Sequence, residues 1–145
     1  MTIEVLQVLL SVGGLIIASV GVPLLYIQLR DVKTSIRATT HAAMYDQAAD
    51  FRSYLVQYPH LRKYFFDGGK ITEEHEEYDR VLTLAEIFLN YLEHIAVLGD
   101  GFGKENRPAL DRFCKLALEK SPILRKHLSD NRDSYSDALH SLLAK

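Results

Sequence analysis

The sequence predicts an all-α protein in which one N-terminal transmembrane helix continues into a long cytoplasmic helix, followed by a small helical bundle. Three observations carry that class. Val5–Leu29 is a run of twenty-five residues without a charge. Downstream, apolar residues recur at steps of three and four, the period of one helix face. No stretch alternates apolar and polar residues long enough to form a strand.

As a helix, Val5–Leu29 would measure roughly 37 Å, enough to cross a hydrocarbon core of about 30 Å with some tilt. Its polar content is slight: Gln7, Ser11, Ser19 and Gln28. Only Glu4 precedes it as a charge, whereas Arg30, Asp31, Lys33 and Arg37 follow. Excess Lys and Arg marks the cytoplasmic side, so the expected topology is single-pass in the cell inner membrane, N-terminus outside, with residues 30–145 in the cytoplasm. A cleaved signal peptide would want a basic start, a shorter apolar core and a small-residue cleavage site. The acidic start and the length of the run argue against it. A buried helix of a soluble core is the other alternative, but such cores rarely demand so long an uncharged run. The expected division is therefore 1–29 as transmembrane helix and 30–145 as a cytoplasmic helical domain.

Residues 30–145 hold all seventeen Lys and Arg against eighteen acids, a formal charge of −1. That balance offers no electrostatic footprint for nucleic acid, and none is expected as a partner. The single cysteine, Cys114, excludes an internal disulfide and fits a reducing compartment. Between Phe113 and Leu116 in an apolar helical pattern, it is expected to pack inside.

Within the span, Gln7, Ser11, Gly14, Ala18 and Gly21 recur at steps of four, three, four and three, on one helix face. Small residues there allow close approach of another helix in lipid, and the same stripe could line a pore. Pro23 removes one helical hydrogen bond near the exit. The pattern then runs on through Leu25, Leu29, Val32, Ile36, Thr39 and Ala43, the seam of a coiled coil. Past Ala43 it slips by one residue to Met44, Ala48, Phe51, Leu55 and Tyr58. The expected division puts Leu29, Val32 and Ile36 against partner copies and the distal face on the chain's own domain. A helix packing only within its own chain is the alternative.

Pro59 ends that helix and opens a short aromatic segment closed by Asp67-Gly68-Gly69. Thr72 is a candidate N-cap, with Glu73 and Glu74 favourable to the helix dipole. That helix should run to Leu98 and stop at Gly99, burying Tyr78, Val81, Leu82, Ala85, Phe88, Leu89, Leu92 and Ile95. Leu82–Leu98 is apolar almost all round and belongs at the centre of the domain. After the glycine-bearing loop 99–106, Pro108 opens a helix with Leu110, Phe113, Leu116 and Ala117 inward. Ser121-Pro122 repeats the start for Ile123–Leu128. A last amphipathic turn follows Ser136.

The segments YPHLRKYFFDG, FLNYLEHI and SPILRKH resemble a group of uncharacterised bacterial single-span proteins with a small helical cytoplasmic domain. The resemblance covers most of residues 30–145 and implies no activity. In layout alone, the chain is similar to CRISPR-associated single-span accessory proteins that assemble into membrane pores.

The most suggestive polar group is Glu86, Asn90, Glu93 and His94, expected as a buried polar cluster on one helix. A buried carboxylate needs a partner, for which Arg52, Arg112 and Arg125 are candidates. An acid pair or metal site is the functional alternative, but no His has a Glu three residues before it, as di-iron bundles require. Glu73–Asp79 lacks the second His of a zinc-protease motif, and Asp100-Gly101-Phe102-Gly103 lacks the Lys-Ser/Thr of a P-loop. The Arg-to-His spacings do not fit those of toxin-like ribonucleases, which leaves a degenerate ribonuclease-like fold as a third reading. No catalytic residue, metal or cofactor is expected. Two function classes remain: a non-enzymatic homo-oligomer in membrane lipid, as a pore or membrane-perturbing effector, and a membrane-tethered adaptor that binds another protein.

Overall fold

Between Leu24 and Tyr58 the chain has neither glycine nor proline, and helix persists to Gln57; beyond that, breaks fall at Pro59, Gly68-Gly69, Gly99 and Pro122, and at 131–136, which holds neither residue. The computed structural model describes residues 3–102 and 105–143. Among these it is all-helical: α1 (Ile3–Gln57), α2 (Arg62–Phe66), α3 (Tyr78–Leu98), α4 (Arg107–Lys120), α5 (Pro122–Asp130) and α6 (Asp137–Ser141). Short 3-10 turns stand at Pro59–Leu61, Gly99–Phe102 and Arg132–Ser134. The chain divides into two compact units, Met1–Thr40 and His41–Lys145. Residues 30–40 thus group with the first unit.

In the first unit, Pro23 lies inside α1 without ending it. The hydroxyls of Thr34 and Thr39 donate to the carbonyls of Arg30 and Ser35, each at 3.0 Å. Both are satisfied within their own helix. Leu25, Leu29, Val32 and Ile36 are all exposed.

In the second unit, the α1 residues Met44, Ala48, Phe51 and Leu55 are buried, which is the slipped face read from the sequence. Phe51 anchors them: its ring stacks on Phe88 at 4.4 Å between centroids and meets Phe65 edge-on at 5.3 Å. Helix α3 packs on α4, α5 and α6. It buries Val81, Leu84, Ala85, Phe88, Leu89, Leu92, Ile95 and Ala96, while Tyr78 and Leu82 are half-buried. By length and composition α3 would also be apolar enough to cross a membrane. Its apolar face is instead the core of the bundle.

Two sequence expectations need correction here. Helix α3 starts at Tyr78, not after Thr72. Residues 72–77 form turns, with His75 N–H donating to Thr72 O at 3.1 Å and Glu77 N–H to His75 Nδ1 at 3.0 Å. Such local bonds compete with helix, and the clustered acids Glu73, Glu74, Glu76 and Glu77 repel one another in a helical turn. Hydrogen bonds from its own backbone N–H and from the Thr72 side chain hold the Glu74 carboxyl below its usual range. In α4, the buried residues are Cys114, Ala117 and Leu118, whereas Phe113 and Leu116 are exposed. The apolar stripe of α4 is wider than the surface α3 offers, so one edge stays outside.

The connections are closed by specific contacts. Gly68 takes φ +75°, and a Cβ at Gly69 would lie 2.9 Å from the Lys63 carbonyl oxygen. Arg107 Nη2 donates to Ala96 O at 3.1 Å, capping the end of α3, and Gly99 leaves room for that side chain. Ser121 is the N-cap of α5: its Oγ accepts the Leu124 N–H at 3.4 Å and donates to Tyr64 O at 2.7 Å.

Candidate functional site

Two surfaces carry the residues singled out by sequence. The first is α1 in the first unit. Its described large apolar side chains lie open over several faces, including Val20, Val22, Leu24, Leu25, Tyr26 and Ile27. Leu29, Val32 and Ile36 are 68%, 54% and 61% exposed. Gln7 is exposed and Gly21 half-buried, while the side chains of Ser11, Gly14 and Ala18 lie outside the described residues. A Cβ added at Gly13 or Gly21 would meet nothing within 4 Å. The glycines are therefore not required by packing inside the single chain.

The second is the polar face of α3. Glu86, Asn90 and His94 are exposed and Glu93 is half-buried, so the expectation of a buried cluster does not hold. The helix directs its apolar residues to α4, α5 and α6, and these polar residues mark its outer side. Nor does Arg125, one of the expected arginines, serve them. Arg125 donates to the carbonyls of Leu118 (2.9 Å) and Glu119, closing the end of α4. Glu86 instead lies 3.8 Å from His127 Nε2 on α5. Glu93 Oε1 accepts the Ser136 backbone N–H at 2.6 Å, holding the start of α6. His94 Nδ1 pairs with Gln47 Oε1 at 3.0 Å, tying α3 to the distal part of α1. Each contact joins elements far apart in sequence, which is why spacing alone missed His127, Ser136 and Gln47.

Between α3 and α5 lies a cleft of about 300 Å³, lined among others by Tyr78, Glu86, Lys126, His127 and Asp130. Lys126 is engaged by Glu73 at 3.2 Å and Asp130 at 3.4 Å. The His127 side chain is 11% exposed and meets the Tyr135 ring edge-on at 6.1 Å. Burial pushes the Tyr135 hydroxyl up, with the Glu86 and Glu93 carboxylates adding to it. The cleft thus holds an imidazole–carboxylate pair beside the ion pairs of Lys126, with no thiol among its lining residues. Cys114 is fully buried elsewhere, its Sγ–H directed at Leu92 O at 3.9 Å, and burial pushes its thiol up to about 12. Among the described residues, no group of three or more His, Cys, Asp or Glu could hold a metal ion.

Comparison with family models, curated proteins and solved structures finds no match to this chain.

Proposed function

We propose that this protein is a membrane-anchored, non-enzymatic helical protein that associates with copies of itself through α1. The supporting observation is the open apolar surface of that helix from Val20 to Ile36. Each such Val, Leu or Ile left in water forgoes about 1.5–3 kcal/mol of burial. A bilayer around residues 5–29, and partner helices beyond it, would remove that cost. Arg30, Lys33 and Arg37 then sit at the cytoplasmic headgroups, with the helical domain inside. Along the span, Gln7, Ser11, Gly14, Ala18 and Gly21 form the face where helices meet or, in a wider ring, the lining of a pore. The layout shared with pore-forming accessory proteins belongs to this reading.

The mass of the protein in detergent tests it. Wild type should run as a multi-copy assembly, Gly21→Leu should fall towards monomer, and Gly13→Leu, on another face, should keep the assembly. Both glycines have open space in the single chain, so a difference between the variants reports on a neighbour. Equal masses for all three would remove this face from the account.

One observation favours the adaptor reading as an alternative. The second unit exposes Tyr45, Tyr54, Val56 and Ile87, and a groove of about 450 Å³ runs between α1 and α3 beside Tyr54 and Ile87. A monomeric mass for wild type would favour it.

A further inference from the structure

We propose that residues 25–39 of α1 form a parallel, in-register coil with further copies of this chain, an inference that rests on the membrane-anchored reading above. The steps of four, three, four and three assign Leu25, Val32 and Thr39 to d positions and Leu29 and Ile36 to a positions. All four aliphatic members are exposed in the single chain. The positions flanking this seam, e and g, are Tyr26, Lys33 and Thr40, and Gln28 and Ser35. The charges Arg30, Asp31 and Arg37 fall on the b and c positions, away from the seam. The stripe is thus bordered by almost uncharged flanks, whereas a solvated helix would spread its charges around.

Thr39 is compatible with a seam position, though Thr34 and Thr40, off the seam, make the same hydrogen bond to the carbonyl four residues back. A threonine buried in a seam leaves a hydroxyl to satisfy, and its Oγ1 already donates to Ser35 O at 3.0 Å. It can be covered by a neighbour with no donor left unpaired. The occupant follows from charge and topology. In a parallel coil, Lys33 of one helix falls beside Gln28 of the next; in an antiparallel one it would fall beside another Lys33. Chains anchored at the same end of the segment also enter water in one direction. The seam is short, and anchoring supplies the high effective concentration that so short a coil needs.

Cysteine cross-linking of the full-length protein in membranes tests this. The native Cys114 is fully buried and stays silent, and the substituted positions are open in the single chain. Under mild oxidation, Val32→Cys and Ile36→Cys should shift the band from one chain to two on a non-reducing gel, while Arg30→Cys and Thr34→Cys should not. Equal cross-linking at all four, or linkage between Leu29→Cys and Thr39→Cys chains when mixed, overturns the register and direction. A multi-copy mass without seam cross-links leaves the functional reading standing and sinks this one; a monomer removes both.

Discussion

Ser121 shows how much one side chain can hold. Fully buried, it caps α5 and also satisfies the Tyr64 carbonyl of α2. Ser121→Ala removes the cap, worth about 1 kcal/mol, and strands a buried acceptor, at a cost of about 1–3 kcal/mol. Urea unfolding should show a loss of about 2 kcal/mol or more, and a change within about 0.5 kcal/mol, the scale of an ordinary surface substitution, would mean the two hydrogen bonds are not made. Cys114 carries a pH signature. Its folded thiol holds a proton up to about 12, against an ordinary value of 9.0, because burial disfavours the thiolate. Between those values the unfolded chain binds fewer protons than the native one, so stability falls as pH rises. The contribution is fully present below 9.0 and lost towards about 12. Urea midpoints measured on either side of 9.0 should fall in wild type and fall less in Cys114→Ala; parallel declines would discharge Cys114 as the cause.

At the scale of elements, α1 is buried along only part of its length. In the second unit it is joined to α2 and α3 by Phe51, whose ring touches Phe65, Phe66 and Phe88. Phe51→Ala should cost about 3–5 kcal/mol, the range for deleting a core aromatic. Val56→Ala, nearby on the same helix but exposed, should stay within about 0.5 kcal/mol. Thermal or urea unfolding compares them, and a mild effect at Phe51 would show that this part of α1 is not held by the bundle. Helix α3 illustrates the reverse confusion: it is long and apolar enough to span a membrane, yet its apolar face is the core.

For the whole molecule, orientation is the testable consequence of the charge asymmetry around residues 5–29. A membrane-impermeant maleimide applied from outside should label Thr2→Cys, and should label Lys145→Cys only after permeabilisation. Native Cys114 does not interfere, being buried. The opposite labelling pattern overturns the proposed topology.

Some of this was legible in the chain itself. The all-helical class, the slip of the α1 face to Met44, Ala48, Phe51 and Leu55, the Ser121-Pro122 start and the inward Cys114 follow from local periodicity and cap chemistry, which act over a few residues. The residues 72–77, the rotation of α4 and the partners of Glu86, Glu93 and His94 did not. The turns at 72–77 rest on local hydrogen bonds and crowded acids, which the cap pattern at Thr72 masks in the sequence, whereas the other two depend on which distant element lies opposite: His127 and Ser136 are tens of residues from the carboxylates they meet. Sequence spacing places side chains on a helix face but does not say which face water takes. Only the packing of α3 against α4, α5 and α6 decided that Glu86, Asn90 and His94 face outward.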